Sequence, residues 1–597
     1  MSDFINNVRI RILDRNYASW CFYEVEERNE INIEEFPLLK KVNPLLSKIF
    51  TDDVINIDNL EKDNTVNIVN SVIRSNKQLA GVLHIENNKT FGRTENKKRL
   101  LYKCIPDDKH LPSFLIPYDI NIGFSKTYTN LFVTFTFDHW NDKHPRGILS
   151  QTIGTVDNLD NFYEYQLYCK SLHTSIANFN KKTRDALNKS TQDEYIDNIF
   201  KNTNYNIQDR RDTYIFTIDS SSTTDYDDGF SIQKLDDGWK VSIYIANVFL
   251  WLETLDLWNA FSQRVSTIYL PDRRRPMLPT ILSDNLCSLQ EDTNRFAYVV
   301  DYFVNNEGII EEEKTSYSNV LIKVNHNYSY DSRIMVGNDE YYNELLSVSN
   351  LMDKNIQNSH DVVAHWMVQM NAHIGVTMIE KKIGIFRSLV FINVTNEQNI
   401  NEVEITDDAK RVIKTWNNTS GKYIAYNDTD NLNHEMMNIK SFKKSNFSKS
   451  ATRPYIHITS PIRRLVDLLN QIILFQELKL VNKISDNALT FLNSWVQNME
   501  YINTSMRCIR KVQNDCDILN KCVVNPEYME NPQRGVIFDK VIKTNGLFMY
   551  MVYLEDLKLL YRINSHDDFD NYTYHNFRMF LFNDEDTFKR KIRLQFD

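Results

Sequence analysis

Four aspartates within ten residues, Asp219, Asp225, Asp227 and Asp228, follow directly on the apolar, strand-like run Tyr214–Ile218. No other stretch restricts the fold as strongly. Carboxylates this close repel one another, so the chain must solvate them, protonate them or hold them against cations. The strand would fix Asp219 at its end, and the others follow in the pattern D-x5-D-x-D-D. A divalent cation removes the repulsion, and hard cations on carboxylates can activate water and stabilise the leaving oxygen of a phosphodiester. The plainer alternative is a solvated acidic turn. An EF-hand calcium loop is excluded, because Thr224 and Leu235 stand where that loop needs Asp and Glu.

A basic counterpart lies at 454–471, PYIHITSPIRRLVDLLNQ. Ser460 as N-cap and Pro461 as first helical residue predict a helix from Ser460 to about Leu480. Arg463 and Arg464 would then sit in its first turn, where the macrodipole disfavours each cation by ~0.3–1 kcal/mol. A bound anion reverses that sign, and backbone N–H groups, hydroxyls and a guanidinium fork make a phosphate site. From Lys440 to Arg464 there are seven Lys or Arg and no acid, inside a chain of net charge −10. Lys443, Lys444 and Lys449 read as a solubilising loop, His457 as a hydrogen-bonded core histidine before a ligand, and Gln513, Asn514 and Asp515 as ordinary helix residues.

The 597 residues, 42% hydrophobic and 25% charged, suit several globular domains. No apolar run approaches ~18 residues, so no membrane partner is expected. The charged N-terminus MSDFINNVRIRILDRN lacks the apolar centre of a secretory leader. Seven cysteines without a CxxC pair support neither a disulfide framework nor a zinc ribbon. A cytoplasmic or otherwise intracellular protein with reduced thiols is expected, and a monomer. The acidic balance argues against sequence-blind wrapping of nucleic acid but leaves room for a local basic channel.

Residues 1–75 carry no motif and stay unassigned. Strand alternation in QLAGVLHIENN, RLLYKCIP, NLFVTFTFDHW and GILSQTIGTV predicts one or two small barrels; taken as two, they fall at 76–125 and at 126–207 with a polar linker. Strands then helices fill 208–525, with a hairpin turn at Asn305–Gly308. Val363, Trp366, Met367, Met370, Ile374 and Met378 predict a helix ended by Gly384, its Met-rich stripe core and not a ligand box. Another helix is predicted from Asp486 to Cys522. A last β-rich segment, 526–597, carries the hairpin signal Asn545-Gly546.

RDTYIFTIDSSSTTDYDDGFSI closely resembles the signature strand and loop of the ribonuclease II / ribonuclease R (RNB) exoribonucleases. VSIYIANV, RVSTIYLPDRRRPMLPTILSDNLCSL and HITSPIRRLVDLL follow in that family's order, so the resemblance spans roughly 208–470. It implies an α+β RNB domain flanked by small OB-fold barrels. It also implies a processive 3′–5′ exoribonuclease that hydrolyses single-stranded RNA to nucleoside 5′-monophosphates. Asp219, Asp225, Asp227 and Asp228 map onto the catalytic aspartates, holding two Mg2+ (Mn2+ able to substitute), with Asp219 and Asp228 the principal ligands. Tyr269 matches the tyrosine against the 3′-terminal base and Arg463 the arginine on the scissile phosphate. Ser460 and Arg464 would support the neighbouring backbone. The chain departs from the family at Asn247, Gly229 and Gln513, where Asp, Ala and Glu are usual or frequent. Its last barrel carries ten Lys or Arg against twelve Asp or Glu. The rival readings are an RNB-fold RNA-binding regulator without activity, and a phosphodiesterase acting on DNA or on a nucleotide messenger.

Overall fold

The computed structural model describes residues 4–26, 29–58, 66–119, 128–388, 403–419, 421–426, 454–543 and 546–597. The first strands, β1 (Phe4–Ile12), β2 (Trp20–Glu24), β3 (Val54–Asp58) and β4 (Asn67–Asn70), form one sheet in the order β2-β1-β3-β4. Its Val8, Ile10, Phe22 and Phe50 share a core with Phe114, Phe135 and Trp140 of the next unit. The segment without a motif is therefore a sheet fused to the barrel that follows.

That barrel comprises β5 (Leu79–His84), β6 (Leu100–Pro106), β7 (Phe114–Tyr118), β8 (Leu131–Phe137) and β9 (Gly147–Thr155), in the order β7-β6-β5-β8-β9. A parallel bridge between Leu115 and Arg146 closes it. The expected division into barrels at 76–125 and 126–207 is corrected here, because it cuts this one sheet. Its central strand β5 pairs with β6 on one edge and β8 on the other, through Gly81 opposite both Pro106 and Val133. Neither half could satisfy its backbone alone. A Cβ at Gly81 would stand 2.9 Å from the Ile105 carbonyl oxygen, so only glycine allows this approach.

Helix α1 (Leu159–Cys169), capped by Asn158, leaves the barrel toward the centre of the molecule. The polar linker beyond it is helical over Ala177–Leu187 and Gln192–Lys201. The central sheet contains β10 (Ile207–Asp209), β11 (Phe216–Asp219), β12 (Asp228–Leu235) and β13 (Gly238–Ala246). Helix α2 (Val248–Thr254) follows, and then the hairpin β14 (Ile268–Tyr269) and β15 (Arg274–Arg275). With β16 (Asn294–Asn305), β17 (Ser316–Lys323) and β18 (His326–Ser329) the sheet has the order β10-β17-β16-β13-β12-β11-β18. The turn at Asn305–Gly308 joins β16 to β17 as expected.

Helix α3 (Ser359–Glu380) buries Val363, Trp366, Met370, Ile374 and Met378, and Met367 packs partly buried against the same core, so the methionine stripe is core. Gly384, at φ +105°, follows its end. Strands β19 (Ile385–Ser388) and β20 (Lys422–Ala425) pair beside it. Helix α4 (Leu465–Glu477) runs buried behind the sheet. It starts four residues later than the Ser460 cap predicts. Arg464 is extended (φ −132°, ψ 124°) and bridges Ser266, which holds the chain out of helix until Leu465. The helix expected from Asp486 to Cys522 is two, α5 (Asp486–Gln497) and α6 (Met499–Val524), parted at Asn498.

The C-terminal strands are β21 (Gln533–Ile542), β22 (Phe548–Leu554), β23 (Leu559–Ser565), β24 (Tyr574–Asn583) and β25 (Arg590–Phe596). Their order, β23-β22-β21-β24-β25, repeats that of the first barrel. Gly546 of the expected turn has φ +79°, whereas Asn545 lies outside the described residues. The two barrels meet rim to rim: Arg590 donates to the Val156 carbonyl at 3.0 Å and Lys589 lies 3.5 Å from Asp107. Among the described residues, no helix is long and apolar enough to cross a membrane.

Candidate active site

Strand β11 enters the molecule between β12 and the parallel strand β18, and Asp219 is its last residue. The chain turns through Ser220–Thr223 and returns as β12, whose first residue is Asp228. The intervening loop is pinned from outside the sheet. Ser288 Oγ accepts from the Tyr226 N–H at 3.0 Å and donates to the Thr224 carbonyl at 2.9 Å. The Asp227 carbonyl accepts from Ala246 N at 2.8 Å. All four carboxylates thus lie at one end of β11 and β12, and Asp227 is 2% exposed.

Their environments differ. Asp227 Oδ1 accepts from the Ile462 N–H at 2.9 Å, and Asp227 Oδ2 lies 3.1 Å from Arg463 Nε without hydrogen-bond alignment. Asp225 Oδ1 meets Arg274 Nη1 at 2.6 Å, and its Oδ2 accepts from the Tyr269 hydroxyl at 3.4 Å. Asp219 Oδ2, Asp227 Oδ2 and Asp228 Oδ2 are buried and have no hydrogen-bond donor. Burial, reinforced by Asp227, raises Asp219 to about 7. Burial raises Asp227 to about 8, against the pull of Arg463, and burial with Asp219 raises Asp228 to about 8. Asp225 is also raised by burial, which Arg274 and Arg463 oppose.

Arg463 projects from the turn before α4. Its own carbonyl accepts from Thr267 N at 2.9 Å and its Nη2 donates to Ser460 Oγ at 3.1 Å. The Arg463 side chain as a whole remains nearly half exposed, its Nε facing Asp227. Arg464 points elsewhere, to the buried Asp467 at 2.8 Å, and Asp467 also accepts from Ser460 N at 2.8 Å. It braces the turn from behind. The helix-start phosphate site expected at Ser460 is therefore replaced by a turn that precedes the helix and aims Arg463. Tyr269, 42% exposed, stands across the aspartates.

His457 is partly buried and hydrogen-bonded, its Nδ1 2.6 Å from the Tyr423 hydroxyl. Asn247, fully buried, caps α2 by accepting from Leu250 N and donates to Asn319 Oδ1 at 3.1 Å; an Asp here would keep the cap but lose that donation. A Cβ on Gly229 would meet the Phe216 carbonyl at 3.3 Å, close to what alanine tolerates. Gln513 accepts from Tyr269 N at 3.4 Å and so props the tyrosine strand. Lys443, Lys444 and Lys449 lie outside the described residues. Sequence reading missed Arg274, Ser288 and Tyr330. Tyr330 donates its N–H to the Asp219 carbonyl and stacks on His360 at 3.8 Å. Only the consecutive arginines 273–275 offered any signal.

Oxygen-only donors suit a hard cation, and the three donorless carboxylate oxygens are places a cation would satisfy. Among the described residues, no three His, Cys, Asp or Glu side chains form a ready-made cage. Mg2+ does not require one, since it takes one or two carboxylates and completes its shell with water and substrate phosphates. By donor chemistry the residues fit the ion.

Residues 207–333 match the family model described as RNB domain. Exoribonuclease 2 of Aeromonas hydrophila is 37% identical over 120 residues, covering 20% of this chain and 18% of that protein. Ribonuclease R of Mycoplasmopsis pulmonis is 28% identical over 200 residues, covering 33% and 26%. The chain thus matches about a quarter or less of those relatives' own length. In fold the likeness is wider. The structure of Mycoplasma genitalium ribonuclease R with ribose-methylated single-stranded RNA superposes at a TM-score of 0.63 and 16% identity, covering 99% of this chain and 97% of that one. Yeast Ssd1, described as a pseudonuclease, superposes at 0.55 and 12% identity, covering 94% and 78%.

Proposed function

We propose, from the premise that the chain carries the RNB domain of the ribonuclease II and ribonuclease R family between OB-type barrels, that it is a 3′–5′ exoribonuclease. It hydrolyses single-stranded RNA processively, releases nucleoside 5′-monophosphates and depends on Mg2+ or Mn2+. One observation carries this reading. Asp227, the half-exposed Arg463 side chain and the donorless oxygens of Asp219 and Asp228 lie together at one end of β11 and β12.

In this reading Asp219 and Asp228 would be the principal holders of the cation, with Asp227 and Asp225 beside them. When bound, the ion would lower the pKa of water and offset charge on the departing oxygen. Arg463 grips the scissile phosphate through its free N–H groups. Asp227, held by Ile462 N, keeps that guanidinium aimed. Tyr269 stacks on the terminal base and reads no sequence. Water adds to phosphorus, the P–O3′ bond breaks, and the 3′ oxygen of the shortened chain takes the proton.

The second reading, an RNA-binding regulator without activity, draws on the absence of a ready-made cage among the described residues and on the fold likeness to a pseudonuclease. A 5′-labelled single-stranded RNA incubated with Mg2+ separates the two. A ladder shrinking from the 3′ end, absent with Asp227→Asn, supports the exonuclease. Binding without cleavage by both proteins replaces it with the regulator. Equal hydrolysis of a DNA oligomer would reassign the substrate.

A further inference from the structure

Three consecutive arginines lie between the site and the first barrel. Tyr269 and Arg274 are direct cross-strand partners in the β14–β15 hairpin, so their side chains share a face. Both end on Asp225, Arg274 on one oxygen at 2.6 Å and Tyr269 on the other at 3.4 Å. Arg274 is further shared with Asp284 at 2.6 Å. With both oxygens occupied, Asp225 is absent from the donorless carboxylates. Two acids compensate Arg274, which leaves Arg463 as the guanidinium better placed for a phosphate.

Side chains alternate along a strand, so Arg273 and Arg275 point the other way. Arg275, almost fully buried, forks onto Asp272 at 2.6 and 2.8 Å and reaches Glu164 at 2.7 Å. Arg273 meets the same Glu164 oxygen at 3.1 Å. Glu164 lies on α1, and α1 belongs to the barrel: Asn161 donates to the Thr155 carbonyl and Tyr165 stacks on Phe132 at 4.3 Å. A buried guanidinium between two carboxylates is costly to place unless its geometry is used.

We propose that Glu164, Arg275 and Arg274 are positioning residues of the 3′-nucleotide grip. They tie the hairpin bearing Tyr269 to the first barrel, and Asp225 serves as the latch that fixes Tyr269 and not as a principal cation ligand. RNA seated on the barrel thereby sets the height of the terminal base above the aspartates. This rests on the exoribonuclease reading, whose substrate grip it specifies.

The test uses the full chain in chelator, without hydrolysis. Single-stranded RNA carrying 2-aminopurine at its 3′ end is titrated with native protein, Glu164→Gln and Arg275→Met, and amide exchange across 266–276 is followed in the free proteins. The native chain quenches the probe through stacking. Both variants lose most of that quench and exchange faster over the hairpin, while their RNA-length-dependent affinity persists. With Mg2+, KM rises about tenfold and kcat changes by less than about twofold. Arg275→Lys, which keeps the charge but not the fork, recovers part of the quench. Hairpin exchange and quench equal to native overturn the proposal. Should Arg275→Met fail to fold, Glu164→Gln, at a side chain one-fifth exposed, decides it. If native protein binds no RNA, the exoribonuclease reading falls and hairpin exchange alone decides the coupling.

Discussion

Asp227 accepts the Ile462 N–H at 2.9 Å, joining positions 235 apart in the chain. This bond brings the end of the aspartate loop against the turn that carries Arg463. It makes the acidic and basic halves of the site one unit, and most of the expectations below follow from it.

Replacing Asp227 by Asn keeps the shape and a carbonyl oxygen for Ile462 N but removes the charge facing Arg463. RNA cleavage is expected to fall by about 10²-fold or more, with RNA binding retained. A 5′-labelled substrate and a filter-binding isotherm on the same preparations check both halves. Cleavage at near-native rate would move the chemistry away from Asp227.

Arg463→Lys is expected to behave as a loss of function and not a conservative change. An ammonium cannot reach Asp227, Ser460 Oγ and a phosphate with a planar fork. Its kcat/KM should approach that of Arg463→Ala, and a variant that cleaves like native protein contradicts the clamp.

Tyr269→Ala is expected to raise KM through the loss of base stacking worth about 1–3 kcal/mol, or roughly 5–150-fold. Phe at the same place keeps the ring and loses the hydroxyl on Asp225, so it should sit between the two. Steady-state kinetics on one RNA order the three proteins.

Stability without metal should fall as pH rises. The carboxyls of Asp219, Asp227 and Asp228 titrate near 7 and 8 in the folded chain and near 3.8 when unfolded. Between those limits the native state binds more protons, so unfolding gains ground with rising pH. Tm in chelator is expected to be lower at pH 8 than at pH 5.5. Added Mg2+ should recover the loss at pH 8 and do little at pH 5.5, where the carboxyls are protonated. A pH-independent gain from Mg2+ would place the ion elsewhere.

Asp301→Ala tests the scaffold. Asp301 is a buried residue of β16 opposite Ser242 of β13, where Arg210 holds it by two 2.8 Å contacts and Ser242 donates at 2.6 Å. Removing it strands Arg210, and a loss of about 3–5 kcal/mol is expected. Denaturant unfolding reads it, and Arg210→Met with Asp301→Leu should recover much of the difference.

The sequence by itself determined the local facts. The strand before Asp219, the four carboxylates, Tyr269, Arg463 and the methionine stripe of α3 were all legible. Each depends on spacing along a few turns or strand residues, or on a motif resembling a family. Tertiary structure decided what distant segments do to one another. Ser460 looked like a cap, but the bridge from Arg464 to Ser266 delays α4 to Leu465. Two barrels were expected where β5 recruits β6 and β8 into one sheet. Asn247, a departure from the family's usual Asp, caps α2. Glu164 carries no local signal and Arg274 only that of three consecutive arginines, because their roles exist only once a hairpin, a helix and a loop have met. Hydrogen bonds and ion pairs across 100 or 200 residues leave no period in the chain, and that is why folding was needed to assemble the site.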